Sequence, residues 1–283
     1  MKLLRVGELG KERPAVMLPD GTCVDASSHI RDYDASFFES GGLDQLRRLV
    51  AKGSLPAVNP DGKRIGAPVA RPWKVIGIGL NYADHAKESG NPVPPEPVMF
   101  MKASNTVIGP NDTVLIPRGS VKTDWEVELG VVIAKSARYI QDKEAAAGYI
   151  AGYCISNDVS ERAFQLERGG TWDKGKSSET FNPLGPWLVT TDEIADPQNL
   201  DLGLDVNGER RQRGNTRTMV FDVKHIVWYL SQFIVLEAGD VITTGTPPGV
   251  GLGMKPPVYL KDGDVMDLWV QGLGRQRQVC NQA

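Results

Sequence analysis

Glycine (31) and proline (19) are spread through this 283-residue chain, and most segments meet a turn former before a long helix can build. That distribution favours many short strands joined by tight turns over a helical bundle. Pro19-Asp20-Gly21 and Asp262-Gly263 are turns with a physical cause, since proline presets φ and glycine accepts positive φ. Strand periodicity is clearest at residues 125–131, where Trp125, Val127, Leu129 and Val131 fall on one face and Glu126 and Glu128 on the other. A second apolar strand, residues 149–155, runs into Asn157-Asp158. The expected fold class is mixed and mainly β, with few short helices.

Short strands are expected at residues 3–6, 15–18 and 22–24, and a helix at 37–51 with Leu43, Leu46 and Val50 on one side. Pro56, Pro60, Asp61-Gly62, Pro68 and Pro72 then mark an extended connector. The chain therefore divides into a small N-terminal α+β domain, residues 1–70, and a larger domain, residues 71–283. Past residue 186 strands are expected at 187–190, 202–207, 241–243 and 265–270. A helix at 223–236 interrupts them, with Val223, Ile226, Val227, Leu230 and Ile234 at core spacing.

Composition excludes several classes of function. A net charge of −3 gives no general attraction to nucleic acid or to an anionic membrane. Cys23, Cys154 and Cys280 are odd in number, far apart and without a CxxC pair, which fits a reducing cytoplasm. No apolar run reaches the roughly 18 residues a membrane span needs, and the polar N-terminus carries no secretory h-region.

Glu126 and Glu128 repel each other on one strand face unless a cation holds them, and Asp158 supplies a third carboxylate if the two strands are neighbours. Three oxygen ligands suit Mg²⁺ or Mn²⁺. The alternative is a solvated edge strand, with Asp158-x-x-Glu161 as a helix capping box. Spacing alone leaves both open. His85 and Glu88, at i and i+3, share a helix face, as a general base and its orienting carboxylate do, or as two residues of a polar surface do. Arg162 and Gln165 share a face in the same way, to bind a carboxylate or carbonyl, unless Arg162 merely neutralises Asp158. Lys102 leaves an apolar segment and is a candidate substrate contact, for an anionic group. Thr246, in TTGTPPGVGLG, presents a hydroxyl beside exposed main-chain N–H groups. Gly77-x-Gly79 lacks the rest of a dinucleotide fingerprint, and neither a Walker loop nor a G-x-S-x-G elbow is present. His29 and His225 have no ligand-spaced neighbours and read as structural or surface residues.

Taken in order, NYADHAKE, DWEVELGVVI, GYCISNDVSERAFQ, GKSSETFNPLGPW, LEAGDVITTGTPPGVG and YLKDGD strongly resemble the fumarylacetoacetate hydrolase family. The match runs from Trp73 to the C-terminus, and the first seventy residues resemble the small N-terminal domain of longer bacterial members. The resemblance implies a β-sandwich or β-roll, commonly a homodimer, acting on a small diketo acid. It implies that Glu126, Glu128 and Asp158 hold Mg²⁺ or Mn²⁺, and that His85, Glu88 and Lys176 are catalytic. Arg162, Gln165, Lys176 and Thr246 are then substrate contacts. The implied reaction is hydrolysis of a C–C bond in an acylpyruvate, as in hydrolases of 2,4-diketo-3-deoxy-L-rhamnonate or L-fuconate. The same scaffold serves oxaloacetate decarboxylation, hydroxymuconate isomerisation and ureidoglycolate lyases. A metal-stabilised binding protein is the non-enzyme alternative.

Overall fold

A computed structural model describes residues 1–88 and 92–283, the side chains of residues 85–87 excepted. Its organising element is the strand Val127–Ile133, in which all seven residues are buried. It pairs antiparallel with Ile150–Asn157, from Val127 opposite Asn157 to Ile133 opposite Ile150, and on its other edge with Val241–Thr243. The alternative of a solvated edge strand therefore does not hold: among the described residues this is an interior strand of an eleven-stranded sheet. Alternation reads the pleat correctly but cannot tell a face that meets water from one that meets other protein groups.

Beyond Val241–Thr243 the sheet continues through Val75–Gly79, joined in parallel, to Val98–Lys102. In the other direction Asn182–Thr190 follows Ile150–Asn157, then Lys2–Val6, Arg13–Met17 and Cys23–Asp25. The N-terminal strands thus extend the main sheet through the pairing of Leu3 with Leu188. A five-stranded sheet of Glu209–Asn215, Asp201–Val206, Val265–Val270, Gly274–Gln282 and Val114–Ile116 packs on one face. Its Leu202, Leu204, Met266 and Leu268 share a core with Val127, Leu129, Val131 and Ile155. On the opposite face Tyr33, Phe37, Phe38 and Leu46 pack with Val132, Ala151, Cys154 and Leu188. The result is a mainly β architecture with few short helices. Among the described residues, no helix is long and apolar enough to cross a membrane.

The expected helix at 37–51 is two helices, Ala35–Glu39 and Gly42–Ala51. Gly41 takes the left-handed conformation (φ 78°) between them, and Gly42 leaves space for the Phe37 ring, which a Cβ would meet at 2.2 Å. The helix expected over 223–236 is Val223–Leu230, with Ile234 still packed on the core beyond its end. Hydropathy gives no sign of Glu209–Asn215 or Gly274–Gln282, because their inward positions include Gln212, Gln276 and Gln278. Those amides are satisfied inside: Gln276 Nε2 donates to the carbonyls of Ile155 (3.0 Å) and Gly185 (2.9 Å).

Candidate active site

The register of the two central strands builds the carboxylate cluster. Pairing Val127 with Asn157 brings Asp158, one residue on, back against Glu126, and the Asp158 N–H donates to the Glu126 carbonyl at 2.9 Å. Glu126, Glu128 and Asp158 then offer oxygens that all lie within 4.8 Å of one another. They are only 6%, 2% and 1% exposed, so the solvated-face alternative does not hold. Nor is Asp158 a helix cap. The helix Arg162–Leu166 is capped by Glu161, which accepts from the Ala163 N–H.

Buried cations surround the cluster. Lys176 Nζ donates to Glu126 Oε2 (2.7 Å) and Asp158 Oδ2 (2.6 Å), and Arg162 Nη2 to Glu126 Oε1 (2.7 Å). Arg162 does not neutralise Asp158: its side chain pairs with Glu126 and, through Nε, with Asp124 Oδ2 at 2.8 Å. Lys102 Nζ donates to Asp158 Oδ1 (2.5 Å) and to the Val159 carbonyl. Glu128 Oε2 accepts from Thr243 Oγ1 (2.5 Å) and from the Gly245 N–H (2.6 Å). Burial pushes the Glu128 carboxyl well above the usual range, and the charges of Asp158 and Glu126 push the same way. Burial lowers the Lys102 ammonium, whereas Asp158 and Glu126 outweigh burial at Lys176 and raise it. Three clustered carboxyls are a donor set that a hard divalent cation fits, and a cation there would offset the mutual repulsion that raises Glu128.

The cluster opens into a cavity of about 570 Å³, which Arg162, Gln165, Lys176, Thr246 and Glu88 also line. Phe100, Leu166, Trp172, Leu252 and Met254 give it apolar wall. Gln165 Oε1 accepts from Arg162 Nη1 at 3.1 Å, and Thr246 Oγ1 donates to the Val127 carbonyl at 2.9 Å. Glu88 ends the short helix Ala83–Glu88 and accepts from the Gly249 N–H at 3.1 Å. The His85 side chain lies outside the described residues, so its pairing with Glu88 is not placed. Lys102 is not among the cavity-lining residues and sits behind Asp158, fully buried.

Sequence reasoning missed three contributors. Phe100 lies beneath Lys176, its ring 4.9 Å from Nζ. Gly77 pairs across the sheet with Phe100, and a Cβ there would sit 2.1 Å from that ring. At Gly79 a Cβ would meet Trp172 at 2.3 Å. Gly77-x-Gly79 therefore makes room for aromatic walls and not for a phosphate. Asp124, wholly buried, is the third, and its place two residues before Glu126 in sequence is the available signal.

Stacked β-sheets whose central strands carry a buried, all-oxygen carboxylate centre open to a small-molecule cavity define a class of enzyme fold. Residues 74–280 match the family model described as fumarylacetoacetate (FAA) hydrolase C-terminal, and the chain belongs to that hydrolase and isomerase family. A Burkholderia multivorans protein, provisionally named a hydrolase, is 56% identical over all of both chains. The fumarylacetoacetate hydrolase of Exiguobacterium antarcticum matches with a TM-score of 0.87 and 36% identity over all of both chains. A maleylpyruvate hydrolase from Sphingobium, in complex with manganese(II) and pyruvate, matches with a TM-score of 0.81 and 26% identity, again over all of both chains.

Proposed function

We propose that this chain hydrolyses the C–C bond between the carbonyls of an acylpyruvate, releasing pyruvate and a second carboxylic acid. The observation that carries this reading is the buried triad of Glu126, Glu128 and Asp158 at the floor of a cavity that Arg162 and Lys176 also line. A divalent ion, Mg²⁺ or Mn²⁺, held by the three carboxylates supplies Lewis acidity toward the 2-keto acid end. Arg162, Gln165 and Thr246 orient the substrate. His85, oriented by Glu88, takes a proton from the attacking water. Lys176 stabilises the negative charge that develops on the pyruvate fragment as the bond breaks. The chemistry belongs to residues 71–283, with residues 1–70 as a covering domain, in a cytoplasmic homodimer.

The substrates favoured by sequence are 2,4-diketo-3-deoxy sugar acids such as the L-rhamnonate and L-fuconate derivatives, which would yield lactate beside pyruvate. A second reading, isomerisation of a hydroxymuconate, is favoured by the Mycobacterium smegmatis 5-carboxymethyl-2-hydroxymuconate delta-isomerase, 32% identical with a TM-score of 0.78 over 100% of this chain and 99% of that one. The test is a panel of acylpyruvates, sugar-derived and plain, with oxaloacetate and a hydroxymuconate, run in ¹⁸O-labelled water. Hydrolysis predicts free pyruvate and label in the other acid. Product with no water-derived oxygen, or CO₂ from oxaloacetate alone, contradicts it and selects isomerase or decarboxylase. Binding without turnover selects a metal-stabilised binding protein.

A further inference from the structure

We infer that Asp124, which lies behind the cavity and not in it, is a positioning residue that fixes Arg162 and the loop wall at residues 250–254 together. Asp124 ends the short strand Thr123–Asp124, which pairs with Ser160–Glu161 just ahead of Arg162. Four donors converge on its carboxylate. Oδ2 accepts from Arg162 Nε (2.8 Å) and the Leu252 N–H (3.0 Å), and Oδ1 from the N–H groups of Gly251 (2.7 Å) and Trp125 (2.8 Å). A carboxylate has about four lone-pair sites, so these donors use its whole capacity. Although Asp124 lies two residues before Glu126 in sequence, it therefore has no oxygen to offer a cation.

Its contacts instead join two parts of the cavity that are distant in sequence. Arg162 reaches onward to Glu126 and Gln165. Gly251 and Leu252 begin the turn that carries Leu252 and Met254 into the cavity wall. Leu252 is 36% exposed as a side chain, yet its N–H is fixed to a wholly buried carboxylate. Glycine is required at 251, where a Cβ would lie 2.8 Å from Asp124 Oδ1 and 1.9 Å from the Val258 carbonyl oxygen. Asparagine cannot replace Asp124. Its amide nitrogen is a donor, and in either flip it would face two donors, losing the Arg162–Leu252 pair or the Gly251–Trp125 pair.

The kinetic half of the test rests on the acylpyruvate reading, and the amide half does not. In the wild-type protein the Gly251 and Leu252 amides should be protected from hydrogen exchange, and Asp124→Asn should abolish protection at one or both. With acylpyruvates, Asp124→Asn should raise KM by on the order of tenfold with kcat changed much less, the signature of lost binding rather than lost chemistry. The rise should grow with the size of the acyl group. Leu252→Ala, which keeps the N–H and removes the wall, should retain amide protection and show the same dependence on acyl size. Unprotected Gly251 and Leu252 amides in the wild type would overturn the inference even if Asp124→Asn fails to fold. So would an Asp124→Asn enzyme with wild-type KM across the panel. If the wild type cleaves no acylpyruvate, the functional reading fails, and amide exchange alone still decides the role of Asp124.

Discussion

Lys102 and Lys176 bond to different oxygens of Asp158, and that difference separates their roles. Lys176 lines the cavity, whereas Lys102 is wholly buried behind the carboxylate. We propose that Lys102 holds Asp158 in place and does not touch substrate. Removing one partner of a buried ion pair costs about 3–5 kcal/mol, so Lys102→Met should destabilise the metal-free protein by that order in urea titrations. Unchanged stability with a raised KM would return Lys102 to the substrate contacts. His85 and Glu88 are expected to act as one unit. His85→Gln should lower kcat by about 10²- to 10⁴-fold. The double variant with Glu88→Gln should be little worse, because the carboxylate works through the imidazole. Strictly additive losses in kcat would show that the two residues act separately.

Between the strands, small residues decide where aromatic ones stand. Gly77 lies under the Phe100 ring, and that ring lies under the Lys176 ammonium. Gly77→Ala should overpack this layer at a cost of about 1–3 kcal/mol. It should also lower kcat by displacing Lys176. A Tm and kcat at wild-type values would contradict that layering. Much of this order is legible in sequence. The strand announces itself through alternation at residues 125–131, and spacing offers the three clustered carboxylates as one of two readings, which the family resemblance favours and the strand register bears out. What alternation cannot supply is which groups cover a polar face. Lys102, Lys176 and Arg162 come from three separate segments, and only tertiary pairing brings them to the acids. Strands with glutamine on the inside escape for a related reason, since their inward face is polar and its carbonyl partners are distant in sequence.

Across the molecule, the N-terminal strands are tied to the large sheet by backbone pairing and by charge. Arg64 bridges Glu12 (2.7 Å) and Asp112 (2.6 Å), and within the N-terminal part Arg5 pairs with Asp32 at 2.6 Å. Burial pushes the Glu12 carboxyl up, but the Arg64 hydrogen bond and the charges of Arg5 and Arg64 outweigh it, and the net shift is downward from 4.5. A lowered folded-state value means that Glu12 contributes stability fully above 4.5 and loses it as pH falls through that lower value. Glu12→Gln should therefore be less stable than wild type at neutral pH, and the gap should close in acid. A gap that stays constant from neutral pH into acid would contradict this linkage. The sharpest experiment concerns the carboxylate triad, on which the whole functional reading depends. Pyruvate release from the best acylpyruvate would be measured with metal-stripped protein, with the same protein after Mg²⁺ or Mn²⁺ is restored, and with Glu128→Gln. Release should be absent, recovered and absent in turn, with Glu128→Gln still folded by circular dichroism. Undiminished release from the stripped protein would contradict the assignment of Glu126, Glu128 and Asp158 as the metal centre.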